Sequence, residues 1–81
     1  MRKYTIDDVK YTIGQNIKNA RIAKGITQLE LAGLAGMRRD KSGSSSICNI
    51  ENGSHFPQPR NITRIANALN VDVFDLFKKL D

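Results

Sequence analysis

Cysteine, histidine, tryptophan and proline are all scarce in this 81-residue chain, and each scarcity excludes something. A single cysteine leaves no internal disulfide framework. Cys48 and His55 are the only soft ligands, too few for a zinc site built by the protein. No Ser/His/Asp set, paired carboxylates or glycine-rich phosphate loop stands out, so the chain reads as a non-enzyme without cofactor or small-molecule ligand. Long apolar runs are missing and nothing resembles a signal peptide, which sets the expectation of a cytoplasmic protein with no membrane contact. Tryptophan is absent and only three Phe and two Tyr are present. The core must therefore come from Ile, Leu, Val and Ala within the 40% hydrophobic content. No segment alternates with period two, so no sheet is expected. Eighty-one residues make one all-α domain, near the lower size limit for folding without metal or cross-link.

What the chain does have is positive charge in one place. The net charge is +5 and the pI about 9.7. Between Gly14 and Arg64 stand Lys18, Arg21, Lys24, Arg38, Arg39, Lys41, Arg60 and Arg64, opposed only by Glu30, Asp40 and Glu51. The whole excess lies there, which suits a polyanion partner.

The same segment carries a two-helix unit. TQLELAGLAG predicts a short helix over 28–34, with Thr27 and Glu30 forming a capping box. Leu29, Leu31, Ala32, Leu34 and Ala35 give it an apolar side. SSSICNIENG predicts a helix over 44–52, with Ile47, Ile50 and Glu51 on one side. Ser45, Asn49 and Asn52 lie on the other, with Cys48 at the margin. A short helix that exposes small hydrogen-bonding side chains, packed behind another helix, suits a major-groove reader.

Around this unit the chain reads as helix throughout. Residues 1–4 are polar and expected to be loose. Thr5 and Asp8 offer a second capping box, and Ile6, Val9, Ile13, Ile17 and Ala20 recur at helical spacing. They predict a helix over 6–24, with Gly14 as a point where it could break and Gly25 as its stop. Gly53 stops the third helix. In SHFPQP, Pro57 and Pro59 bar helix and Phe56 could plug the core edge. Asn61 is placed to cap a fourth helix over 62–69, and Asp72 a fifth over 73–80.

Three separated strings, IGQNIKNARIAKGITQLELAGLAG, SSICNIENG and RIANALNVDVFDLF, occur in the order found in the lambda-repressor-like (Xre or Cro type) helix-turn-helix family. The chain resembles that family over residues 13–77, with 1–12 as an N-terminal extension. The resemblance implies a five-helix domain that binds double-stranded operator DNA as a homodimer. It also implies a transcriptional regulator, here a repressor of phage, mobile-element or restriction–modification type acting at a palindromic operator. The alternative is a protein-interaction module or antitoxin that uses the same fold with weak or no base readout. By matching position, Gln28 would bond a DNA phosphate and Asn52 would hold the backbone. Ser44, Ser45 and Asn49 would reach base edges, although Ser44 suits helix capping equally well. Asn49 is the best reader, because Asn can bond adenine in bidentate fashion. Arg21 and Glu51 match positions that pair internally between the first and third helices.

The chain departs from the family in the turn, where about five extra residues fall within MRRDKS. They could extend the third helix, extend the second, or bulge outward. Arg38, Arg39 and Lys41 would then stand at the groove edge as phosphate contacts, or enter a neighbouring groove as a short basic arm, or the stretch is a solvated loop that tolerates insertion. Without this stretch the expected DNA-facing side holds no Arg, Lys or Gln, hence no strong guanine reader, and DNA shape would carry part of the discrimination. Two apolar surfaces compete as the dimer contact: VFDLFKKL with Phe74, and the N-terminal Tyr4, Ile6 and Tyr11.

Overall fold

The structure is a computed structural model and describes residues 3–80; Met1, Arg2 and Asp81 lie outside it. Four α-helices follow in order: α1 (Ile6–Lys24), α2 (Gln28–Leu34), α3 (Lys41–Glu51) and α4 (Pro59–Leu69). A 3-10 helix, Val73–Phe77, closes the chain. No strand occurs among the described residues. Ile13 and Ile17 of α1, Leu31 of α2, Ile47 of α3, Ile65 of α4 and Leu76 of the closing turn form the fully buried centre. This is the branched aliphatic core that a chain poor in aromatic residues must use.

The first two helices begin at the capping boxes the sequence predicts, and α1 ends at its predicted glycine. Thr5 accepts from the Asp8 N–H at 3.1 Å while Asp8 accepts from the Thr5 N–H at 2.9 Å. Thr27 and Glu30 repeat the reciprocal pair at 3.0 Å each way. Gly25 stops α1 in the left-handed region at φ 74°.

Several expectations need correction. Gly14 does not break α1, which runs through it as one helix. A Cβ there would strike the backbone carbonyls of Ile50 and Glu51, so this glycine is the point where α3 comes up against α1. On α2 the buried residues are Leu31 and Ala32, with Ala35 at its cap, while Leu29 and Leu34 are exposed. Pro59 does not bar α4 but starts it. Gln58, not Asn61, occupies the cap position and makes no side-chain cap bond. A proline's fixed φ and missing N–H are no handicap in the first turn. In the preceding loop Pro57 is buried and Phe56 is exposed.

The fifth α-helix is absent. Asp72 does cap, accepting from the Phe74 N–H at 2.9 Å, but only a 3-10 turn follows. Lys78 is already extended at φ −67°, ψ 140°. The Asn16 amide of α1 donates to the carbonyls of Leu76 at 2.8 Å and Lys78 at 2.9 Å. Carbonyls that a continuing helix would satisfy from within are satisfied from α1 instead.

Candidate nucleic-acid interface

The stretch expected to hold the extra residues decides the shape of this surface, and its end is built into α3. The helix starts at Lys41 rather than 44, which adds about one turn to its N-terminus. Asp40 makes that start possible: its carboxylate accepts from the backbone N–H of Ser42 at 3.0 Å and of Gly43 at 3.2 Å. Arg38 holds the other carboxylate oxygen, with Nε 2.9 Å and Nη2 2.8 Å away. The Gly43 hydrogen bond first, with help from Arg38, keeps the Asp40 carboxyl below its usual value. Gly43 is buried, and a Cβ on it would collide with the Arg38 carbonyl. The chain therefore folds tightly against the new first turn and leaves the outer surface of α3 open. Arg39 lies across Gly33 of α2, where an added Cβ would meet its Nε at 2.5 Å, and it borders a hollow with Leu29, Glu30 and Leu34.

Ile47 and Ile50 anchor α3 to the core. On the opposite side Lys41, Ser45, Cys48 and Asn52 are exposed. Their spacing puts them in one stripe along the helix. Cys48 is thus in the middle of the open face, not at its margin. Ser44 and Asn49 are half-buried and flank the stripe. The Asn49 carbonyl accepts from the N–H groups of Ser54 and His55, which draws the following loop along that edge.

Glu51 fixes the C-terminal end. It is 2% exposed and accepts from Arg21 Nε at 2.7 Å and Nη2 at 3.1 Å, a two-pronged pair between α1 and α3. Arg21 Nη1 donates to the Ile26 carbonyl at 2.9 Å, which ties down the α1–α2 turn. The hydrogen bond to Glu51 raises the Arg21 pKa further above its ordinary value, against a smaller opposing effect of burial. Gln28 Nε2 donates to Glu51 Oε1 at 3.1 Å, and an amide NH2 has a second N–H to give. Asn52 accepts from the Ser54 N–H at 3.0 Å, so its oxygen is engaged while its NH2 stays available. Gln28, Asn52 and Cys48 border one hollow together with Lys18 of α1. Lys18 has no assigned role in the sequence because only the packing of α1 against α3 brings it to this hollow.

Among the described residues no group of three or more His, Cys, Asp or Glu could hold a metal ion, and no helix is long and apolar enough to cross a membrane.

Two consecutive helices, α3 presenting a polar stripe and α2 packed behind it with Gln28 on the Glu51 carboxylate, while α1 braces α3 through a buried ion pair, define a helix-turn-helix protein. Residues 14–81 match the family described as the helix-turn-helix domain, and the chain belongs to that family, in its Xre-like branch. Over 61 residues it is 34% identical to the ImmF control region 10 kDa protein of Bacillus phage phi105. That match takes in 75% of this chain and spans 62% of the phage protein's length. The fold is also similar to the crystal structure of the restriction–modification controller protein C.AhdI from Aeromonas hydrophila. There the TM-score is 0.73 at 32% identity, covering 84% of this chain and 96% of that one.

Proposed function

We propose that the protein is a sequence-specific DNA-binding transcriptional regulator, a repressor that acts without catalysis as a homodimer at a palindromic operator. The observation that carries this reading is the open polar stripe on α3, with the inserted turn folded away from it. Similarity to a phage control-region protein and a restriction–modification controller supports the same reading. Ser45 and the flanking Ser44 and Asn49 are the base-contact residues. Gln28, Asn52 and Lys18 converge on one phosphate through their N–H donors and the ammonium. Arg38 and Arg39 grip phosphates at the groove edge, which requires Arg38 to share its guanidinium between Asp40 and DNA. Dimerisation uses one of the two exposed apolar surfaces: Phe74, 76% exposed, or the group of Tyr4, Ile6 and Tyr11. Either must bring two α3 helices about 34 Å apart, one turn of DNA.

A gel shift with the DNA upstream of the gene, at two salt concentrations, tests the reading. A retarded complex that resists unrelated competitor DNA and weakens steeply with salt is expected. A complex that unrelated DNA displaces equally well, or none at low salt, would leave the protein-interaction alternative in its place.

A further inference from the structure

We infer that Lys41 is a specificity-determining residue that reads a guanine edge in the major groove. The inference rests on the DNA-binding reading above and changes the role of a residue that the sequence alone places in a phosphate-gripping turn. Of the three cations in the insertion, Arg38 is paired with Asp40 and Arg39 is laid over Gly33 of α2. Lys41 is the remaining one: it is exposed, and its side chain has no hydrogen bond or ion pair among the described residues. It is also no longer in a loop. As the first residue of α3 it stands one turn ahead of Ser45 on the same stripe, about 6 Å along the axis.

Three features turn that position into readout. The N-terminal residues of a recognition helix are the ones that meet base edges, and the extra turn makes Lys41 the leading residue of α3. The stripe behind it, Ser45, Cys48 and Asn52, consists of short side chains, which lets the helix lie deep enough for a lysine to reach the groove floor. The first turn is also held in place: Asp40 accepts from two of its N–H groups and Gly43 packs under the Arg38 carbonyl. The Lys41 backbone is therefore positioned before DNA arrives, and only its side chain has to be ordered. An ammonium carries three donors and no acceptor. In the major groove it matches the O6 and N7 acceptors of guanine and is not matched by the amino group of cytosine or adenine. The insertion thus supplies the guanine reader that the rest of α3 lacks.

The test begins with selection of duplexes from a random pool by the full chain. It continues with affinities of the wild type, Lys41→Ala and Lys41→Arg for the selected site and its single-base variants. Lys41→Ala should lose about ten- to hundredfold on the selected site and stop discriminating at one guanine in each half-site. Lys41→Arg should retain that preference. Replacing the guanine by 7-deazaguanine should weaken the wild type but leave Lys41→Ala unchanged. If Lys41→Ala weakens the site, its variants and unrelated duplexes by one common factor, Lys41 is a phosphate contact and the inference is overturned. Unchanged binding by Lys41→Ala overturns it too. In both cases the regulator reading stands, whereas a wild-type protein that enriches no sequence removes that reading together with this one.

Discussion

At its C-terminal end α3 is held by Ile47, Ile50 and the buried Glu51, which ties Arg21 of α1 and Gln28 of α2 to one carboxylate. At its N-terminal end the same helix is held by a surface cap, with Asp40 half-exposed and its Arg38 partner largely open to solvent. The first end sets where α3 sits in the molecule, and altering it disturbs all three helices. The second sets how far α3 projects and which side chains lead, at little cost to the core. Extra residues that lengthen the exposed end can therefore change which side chains lead the helix without loosening the anchor. On the proposed DNA-binding reading, stability and specificity are separable because they are built at opposite ends of one helix.

The largest effect should come from breaking the anchor. Arg21→Ala leaves the Glu51 carboxylate buried without its main partner, at a cost of about 3–5 kcal/mol, read as a large drop in melting temperature. Full stability with lost DNA binding would instead make Arg21 a DNA contact and undo the division between the two ends. Next in size is Gly14→Ala. Helix propensity gains about 1 kcal/mol, but the new Cβ meets the Ile50 and Glu51 carbonyls. Because backbone cannot swing aside, overpacking of about 1–3 kcal/mol should win. Chemical denaturation would show a net loss, and a net gain would mean that α1 and α3 are less closely engaged than their geometry indicates.

Legibility in the sequence follows the same division. The anchor could be read, because the capping boxes at Thr5 and Thr27 and the apolar spacing in α1 are local signals, and the Arg21–Glu51 pair follows from the family resemblance. What could not be read depends on contacts between segments far apart in the chain. Gly14 looks like a helix weak point until the carbonyls of α3 are set against it. The closing helix looks regular until the Asn16 amide, some sixty residues away, takes its last carbonyls. Lys18 reaches its hollow only through the packing of α1 against α3. The start of α3 is a different case. Asp40 is a strong capping residue just ahead of Lys41, and weighing it against the later serines would have placed Lys41 on the helix.

The smallest expected effect is at the exposed end and depends on pH. In the folded chain the Asp40 carboxyl titrates below its ordinary value, because the Gly43 N–H and then Arg38 stabilise the charged form. A carboxyl with a lowered folded value contributes its stabilisation in full above the ordinary aspartate range and loses it as pH falls through the lowered value. Acidification from neutral should therefore leave the first turn of α3 intact until below that range. The amide resonances of Ser42 and Gly43 should then shift together along one titration curve, while those of Ile47 and Ile50 stay fixed until global unfolding. In Asp40→Asn, which keeps an acceptor oxygen but no charge, the Ser42 and Gly43 shifts should no longer move with pH. If they still did, the cap would be held by some other group. If the Ile50 amide moved with them, the two ends of α3 would be coupled and the separation of anchor from reader would fail.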